Sequence, residues 1–468
     1  MYSKEDTICA ISTPPGKGAI AVVRCSGDKA FDICDKIIRL HGNEQSLIRL
    51  PANTMHYSTV YDGEDIVDQV VTGIFRKPHS YSGEDTVEIS CHGSPFIQKK
   101  ILELLVKSGA RLATAGEFTM RAFFNGKLDL TQVEAVADLI SSGSEAAHRV
   151  AISQMRGGFT REIKKLRDKL LNFISLVELE LDFSEEDVEF ADRAKLKALI
   201  AGITTTLNSL SASFRLGNVI KQGIPVAIVG KTNAGKSTLL NLLLREEKAI
   251  VSDIEGTTRD SIEDVISIKG IHFRLIDTAG LRHTEDTIER MGIERTWQKV
   301  DQALVIIQVL DTKSKADELK SMDDKIHLSA GSKKRIVVLN KIDKVSEEKL
   351  NTQLSELNSL LSAEGKVIPI SASQGTNLSQ LEEALVSTAG IMESDDNNVI
   401  ITNVRHYEAL EKALSAMKRA GEGMENNVPG DLLAQDIRET LHYLGEITGE
   451  ITTEEVLGNI FKNFCIGK

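Results

Sequence analysis

The spacing of apolar positions changes along this chain, and each change marks a different kind of structure. Up to about residue 120, short apolar runs recur between joins marked by Gly and Pro. Ala19–Arg24, Val67–Phe75 and Thr86–Cys91 read as strands, and Phe96–Lys107 reads as a helix, so this segment is expected to be a mixed α/β domain. The loop Pro14–Gly18 (PPGKG) lacks the spacing of a phosphate loop and reads as a turn. From Leu128 the period lengthens. Ile163, Leu166, Leu170, Ile174, Val177 and Leu181 follow one another at steps of three and four, the stripe of an amphipathic helix. Leu196, Ile200, Ile203, Leu207 and Leu210 form a second stripe, and the acidic run SEEDVEF between the two reads as a solvated helix end.

These helices have no apolar partner before residue 221. The same spacing returns near the other end of the chain, in Leu410, Leu414 and Met417 and then in Leu433, Ile437, Leu441 and Leu444. The simplest arrangement is one helical domain made of residues 121–220 and 391–468, with residues 221–390 inserted as a separate domain. Insertion at a surface connection is tolerated where the inserted domain's ends lie close together. Within 221–390 strand-like and helix-like runs alternate, as a doubly wound α/β sheet requires.

That inserted segment carries the chemistry. The apolar run Val226–Val229 leads into Gly230–Ser237, which spells G-x-x-x-x-G-K-S, and a helix-like run from Thr238 follows. This strand–loop–helix setting is the one a phosphate-binding loop needs. Its backbone N–H groups, through Asn233, Ala234 and Gly235, point at phosphate oxygens. Lys236 is expected to bridge the β- and γ-phosphates, and Ser237 to place its hydroxyl on Mg²⁺. Arg274–Ile276 reads as a strand ending in Asp277-Thr278-Ala279-Gly280, where Asp277 suits Mg²⁺ and the Gly280 N–H suits the γ-phosphate. In Gly256–Asp260 (GTTRD), Thr258 is the hydroxyl expected to complete the Mg²⁺ shell. Ile336–Leu339 runs into Asn340-Lys341-Ile342-Asp343, whose carboxylate can accept from the N1–H and 2-amino group of guanine. Ser371 and Ala372 complete the base pocket. Four such motifs in order point to GTP.

Two positions depart from the Ras-like pattern. Leu281 follows D-x-x-G where a Gln would orient water, so the catalytic helper must come from elsewhere, with Glu285, Asp286, Glu289 and Glu294 as candidates. Asn233 suits either cation coordination beside the phosphates or a plain turn.

Composition narrows the setting. The 468 residues are 41% hydrophobic and 26% charged, the balance of a globular protein of about three domains. No run is long and apolar enough to span a bilayer, and the N-terminus has no signal architecture, so a cytoplasmic protein is expected. The five cysteines include no C-x-x-C pair, which argues against a zinc knuckle or a disulfide framework. A net charge of −12 disfavours coating nucleic acid by bulk electrostatics while leaving room for a local RNA contact.

Taken together, GKTNAGKSTLLN, VSDIEGTTRD, DTAGLR with IERMGIER, NKID and the terminal CIGK resemble the tRNA modification GTPase family MnmE (TrmE). So do DTICAISTPPGKGAIAVVRCSG, YSGEDTVEISCHG and AGEFTMRAFFNGKLDL nearer the N-terminus, and the resemblance covers essentially the whole chain. It implies a multidomain fold: an N-terminal α+β folate-binding and dimerisation domain (1–120) and a P-loop GTPase domain (221–390) inserted into an α-helical domain. It implies a homodimer that works with an FAD-containing partner, MnmG (GidA), on the wobble uridine of tRNA. The one-carbon unit would come from 5,10-methylene- or 5-formyl-tetrahydrofolate.

By the same resemblance, the run Ser252, Asp253, Ile254, Glu255, Gly256 and Thr257 joins Thr258 at the nucleotide. Asn233, Ser252, Ile254 and Thr257 ligate K⁺, and Glu289 is the catalytic glutamate acting through water. Arg259 and Arg282 assist it. Arg24, Glu88, Lys127 and the terminal Lys468 hold the folate, and Cys465 takes part in modification. The rival reading from another class is a regulatory or ribosome-assembly GTPase switch, which needs neither a folate pocket nor a thiol.

Overall fold

Strands and helices follow the apolar periods closely. The computed structural model describes residues 6–42, 46–182, 193–231, 233–246, 264–276, 302–313, 334–360, 367–388, 399–426, 428–462 and 464–467. The N-terminal elements are β1 (Ile8–Ile11), β2 (Ile20–Ser26), α1 (Ala30–Asp35), β3 (Ile38–Leu40), β4 (Thr54–Asp62), β5 (Asp65–Phe75), β6 (Thr86–His92), α2 (Pro95–Ser108), β7 (Arg111–Leu112) and α3 (Glu117–Phe124). Helices α4 (Leu130–Ser141), α5 (Glu145–Met155), α6 (Gly158–Asp182) and α7 (Arg193–Gln222) come next. The nucleotide-motif segment contains β8 (Ile224–Val229), α8 (Lys236–Glu246), β9 (Asp264–Ile268), β10 (Ile271–Leu275), β11 (Val305–Asp311), β12 (Lys334–Asn340), α9 (Glu347–Leu360), β13 (Ile368–Pro369) and α10 (Leu378–Thr388). Helices α11 (Val404–Glu425), α12 (Gly430–Thr448) and α13 (Glu454–Lys462) close the chain.

The chain divides into two compact units, one of residues 1–137, 154–200 and 415–468 and the other of 138–153 and 201–414. In the first, the described strands form one sheet in the order β3-β4-β5-β6-β2-β1-β7. Strand alternation sorts its side chains. Cys9, Val23, Cys25, Val87 and Ile89 point into a core with Ile33, Ile101 and Leu105 of α1 and α2. Ile8 and Ala10 point the other way and pack on Phe118 of α3. Arg24 and Glu88, opposite each other in register, share that second face. Four of the cysteines are buried, and Cys465 alone is exposed. Burial pushes the Cys9 thiol up to about 12 and Cys91 to about 11, which makes both inert at neutral pH.

The helical stripes are buried as their spacing predicts: Ile163, Leu166, Leu170 and Ile174 in α6, and Leu433, Ile437, Leu441 and Leu444 in α12. Helices from either side of the nucleotide segment pack on each other. The Arg167 guanidinium of α6 donates to the Leu441 carbonyl of α12 at 3.0 Å and pairs with Glu450 at 2.6 Å. The acidic run SEEDVEF lies outside the described residues.

In the second unit the described strands form a sheet in the order β13-β12-β11-β8-β10-β9, parallel except where β9 pairs antiparallel with β10. Strands β8 and β11 are almost wholly buried, the continuous apolar pattern of a sheet covered on both faces. Leu239, Leu240 and Leu243 of α8 are fully buried in the same core as Val226 and Ile228 of β8. Each contributes roughly 1.5–3 kcal/mol by leaving water. Together they seat the start of α8 just after the phosphate loop.

Candidate nucleotide site and N-terminal pocket

The phosphate loop joins the end of β8 to α8, at the carboxyl end of the parallel strands where open α/β sheets bind ligands. Its conformation is set locally. Asn233 lies in the left-handed region (φ +65°), which Asn tolerates better than most residues. Gly235 has φ +97°, and a Cβ there would fall 2.1 Å from the side-chain nitrogen of Asn340. Only glycine fits this position. Lys236, at the first turn of α8, folds its ammonium back onto the loop and donates to the carbonyls of Gly230 and Lys231, both at 2.7 Å. Its charge is thereby held over the loop that would cradle phosphates. Ser237 and Thr238 occupy the same first turn, within the positive end of the helix dipole.

Asn340, at the end of β12, ties three segments together. Its Nδ2 donates to the Ala234 carbonyl at 3.0 Å, and its Oδ1 accepts from the Ala372 N–H at 3.0 Å and the Lys341 N–H at 2.8 Å. Asn340 is buried, so these bonds replace water that cannot reach it. Lys341, also left-handed (φ +67°), extends its ammonium to the Asn233 carbonyl and to Asp311 at 3.4 Å. Ser371 donates to the exposed Asp343 carboxylate at 2.6 Å, and this hydrogen bond holds Asp343 below the usual carboxylate range. The result is an ionised, fixed acceptor facing solvent beside the phosphate loop. It is suited to a ring that presents two adjacent N–H donors, and the residues present fit a guanine nucleotide.

A cleft of about 600 Å³ opens at the opposite end of this sheet, lined by Pro225, Arg274, Leu304, Arg215 and Tyr407 among others. Strand direction, not this cleft, marks the nucleotide site.

The other expected GTPase residues, Ser252, Asp253, Ile254, Glu255, Gly256, Thr257, Thr258, Arg259, Asp277, Thr278, Ala279, Gly280, Arg282 and Glu289, lie outside the described residues. So do Leu281 and the acidic candidates Glu285, Asp286 and Glu294.

In the N-terminal unit, Arg24 and Glu88 meet through Nη2 and Oε1 at 2.8 Å, and Nε donates to the same oxygen at 2.9 Å. The guanidinium lies over the Tyr81 ring (5.1 Å to its centroid) and the Phe118 ring (5.4 Å). An arginine so held is oriented by cation–π contact and by its carboxylate at once. Lys127 donates to the Pro78 carbonyl at 3.0 Å, and its Cγ lies close to Gly83, next to the stretch that supplies Tyr81. Charged groups flanked by aromatic rings fit a flat heteroaromatic ligand that carries carboxylates, as a folate does. Lys468 lies outside the described residues, but Cys465, Ile466 and Gly467 are described and dock on this unit. Ile466 bridges Ala115, and the Gly116 N–H donates to the Cys465 carbonyl at 3.4 Å.

The same unit holds a buried polar network that periodicity did not reveal. Arg121, fully buried, pairs with Glu84 at 3.1 Å and Glu117 at 3.2 Å, and Glu117 also takes Arg111 at 2.7 Å. Ser26 links Ser82 (2.7 Å) to Glu84 (2.8 Å). Burial alone would raise Glu117. Hydrogen bonds from Arg111 and the Thr114 amide, with the charges of Arg111 and Arg121, outweigh it and bring the carboxyl down to about 2. The Glu84, Glu117 and Arg121 positions sit inside YSGEDTVEIS and AGEFTMR, the only sequence signal that marked them.

Among the described residues no helix is long and apolar enough to cross a membrane. Residues 7–127 match the family described as the GTP-binding protein TrmE N-terminus, and residues 130–465 match the family described as the MnmE helical domain. The chain is 52% identical over 464 residues to a tRNA modification GTPase MnmE of Bacteroides fragilis, covering 99% of this chain and 100% of that protein. It is 49% identical over 475 residues to a protein of the same name from Christiangramia forsetii, covering 99% of each. Among solved structures, an Aquifex aeolicus Era variant bound to GDP and aluminium fluoride is 27% identical over 41% of this chain and 66% of its own, with a TM-score of 0.28.

Proposed function

The chain belongs to the tRNA modification GTPase MnmE family, and from that premise we propose that it hydrolyses GTP to drive modification of the wobble uridine of certain tRNAs. The observation that carries the GTP half is the Asn340 bridge between the Ala234 carbonyl of the phosphate loop and the Ala372 amide. It brings the phosphate-binding and base-recognition motifs into one pocket, with the Asp343 carboxylate held ionised by Ser371.

In this reading Asp343 accepts from the guanine N1–H and 2-amino group, and Lys236 leaves the loop carbonyls for the β- and γ-phosphates. Ser237 and Thr258 would hold Mg²⁺. Asn233, Ser252, Ile254 and Thr257 would hold K⁺, the middle two through main-chain carbonyls. Each cation would supply positive charge where negative charge develops during phosphoryl transfer. Glu289 orients the attacking water in place of the Gln that Leu281 displaces, with Arg259 and Arg282 beside it.

The second half of the function belongs to the N-terminal pocket. Arg24, Glu88, Lys127 and Lys468 would hold a tetrahydrofolate derivative, 5,10-methylene or 5-formyl, whose one-carbon unit enters the new 5-substituent (aminomethyl or carboxymethylaminomethyl) of the uridine. Arg24, held over the Tyr81 and Phe118 rings, would orient the ligand, and Cys465 takes part in the modification. The FAD-containing MnmG (GidA) is the partner, the assembly is a homodimer paired through its N-terminal domains, and the setting is the cytoplasm.

The proposed domains are residues 1–120 (folate-binding and dimerisation), 121–220 with 391–468 (helical), and 221–390 (GTPase, inserted). The helical-family match from 130 to 465 supports this layout because it brackets the nucleotide sheet. GTP turnover serves as a conformational drive rather than as the modifying step.

The test is GTP turnover by the full chain in potassium and in sodium chloride at equal ionic strength. Turnover stimulated by potassium supports the reading, and equal turnover in the two salts contradicts the cation site.

A further inference from the structure

We propose that Ser12 and Gly467 form a clasp that holds the C-terminal segment on the edge of the N-terminal sheet and so fixes Cys465 against the start of α3. The inference rests on the role read above for Cys465 and the folate pocket, and it adds the residues that hold the tail in place.

Helix α13 is anchored by burial. Leu457, Phe461 and Phe464 pack on Leu130 and Val133 of α4. Beyond Phe464 the chain is held differently. Ile466 is 65% exposed and Cys465 is exposed, so apolar burial does not hold this segment down. Close backbone fit does. The Ser12 hydroxyl donates to the Gly467 carbonyl at 3.1 Å, and Ile466 bridges Ala115. Gly467 is in the left-handed region (φ +98°), and a Cβ there would lie 2.1 Å from the Ile11 carbonyl oxygen. A side chain at 467 is therefore excluded twice, by backbone conformation and by a backbone atom that cannot move aside.

The register shows where this places the tail. Ile11 pairs with Val23 across β1 and β2, and the Ile11 carbonyl, like that of Cys9 which accepts from Ala113, faces the other edge of β1, so Gly467 seats the tail on that edge, with β2 and Arg24 on the next strand. Gly116, whose N–H donates to Cys465, lies two residues before Phe118, the ring under the Arg24 guanidinium. The tail thus lies across the edge of β1 and the start of α3, next to the strand and the helix that carry Arg24 and Phe118, and Ser12 and Gly467 act as positioning residues.

The test compares Gly467→Ala, Ser12→Ala, Ser12→Thr and Cys465→Ser in the full chain. Amide exchange is read at Gly116, GTP turnover in solution, and wobble-uridine modification in cells lacking the native gene. The clasp predicts exchange at Gly116 more than about tenfold faster in Gly467→Ala, strongly reduced modification, and GTP turnover equal to wild type. Loss of the Ser12 bond, of order 1 kcal/mol, gives a loss of about fivefold in Ser12→Ala that Ser12→Thr restores. Wild-type exchange at Gly116 in Gly467→Ala would overturn the clasp. Faster exchange with full modification, while Cys465→Ser is inactive, would overturn its positioning role. A fully active Cys465→Ser would instead overturn the role read for Cys465, and the exchange measurement alone would then decide the clasp.

Discussion

The side-chain amide of Asn340 donates to the carbonyl of Ala234, 3.0 Å away and 106 residues earlier in the chain. This one bond, with its counterpart to Ala372, makes a single site of the phosphate loop and the base-recognition loop. Replacement by alanine leaves a buried carbonyl and a buried N–H unpaired, at about 1–3 kcal/mol each. Asn340→Ala is expected to lower the unfolding midpoint and to weaken GTP binding more than about tenfold, by calorimetry. Unchanged affinity would show that the two loops hold their places without it.

Asp343→Asn exchanges an acceptor for a donor and is expected to shift preference from GTP to xanthosine triphosphate. Competition binding reads this directly, and retained GTP preference would mean the base sits elsewhere. Ser371→Ala removes the hydrogen bond that holds the Asp343 carboxyl low. Its pKa then rises, so the acid limb of GTP binding moves to higher pH. An unmoved limb would show that Ser371 does not tune the carboxylate.

Glu117 makes a prediction about acid. Its folded-state pKa of about 2 lies below its ordinary value of 4.5. The stabilisation is therefore complete above pH 4.5 and is lost as pH falls toward 2. The depression corresponds to about 3 kcal/mol. Thermal melts of the wild type are expected to drop across this window. Glu117→Gln should be destabilised at pH 7 and lose less on further acidification. Parallel melting curves for the two proteins would remove Glu117 from the account.

Glu289→Ala is expected to retain nucleotide affinity and lose potassium-stimulated turnover. Loss of affinity instead would assign Glu289 a structural part.

Where burial and chain-local spacing decide structure, the chain announces it. Ile163, Leu166, Leu170 and Ile174 read as one helix face and are one, and G-x-x-x-x-G-K-S reads as a loop after a strand and is one. Strand β4 went unread because its exposed Met55 and Tyr57 blur the alternation that marks a half-buried strand. The Arg121–Glu84–Glu117 network and the Ser12–Gly467 contact were unreadable for another reason. Glu117 and Arg121 are four apart on one helix, but the Arg121–Glu84 and Ser12–Gly467 links join residues 37 and 455 positions apart through polar groups, and such pairings leave no period in the sequence. Recognition of Arg24, Glu88, Lys127 and Cys465 came from resemblance. The structure adds the Tyr81 and Phe118 rings beside Arg24 and the tail docked at Ala115 and Gly116.

The central claim, that this GTPase acts in wobble-uridine modification, is tested most directly by nucleoside mass spectrometry of bulk tRNA. The strains compared lack the gene, or carry the wild-type chain or Cys465→Ser in its place. The account predicts that the 5-substituent of the wobble uridine disappears in the deletion, returns with wild type and stays absent with Cys465→Ser. Persistence of the modification in the deletion strain would contradict the account and leave a GTPase switch without modification chemistry.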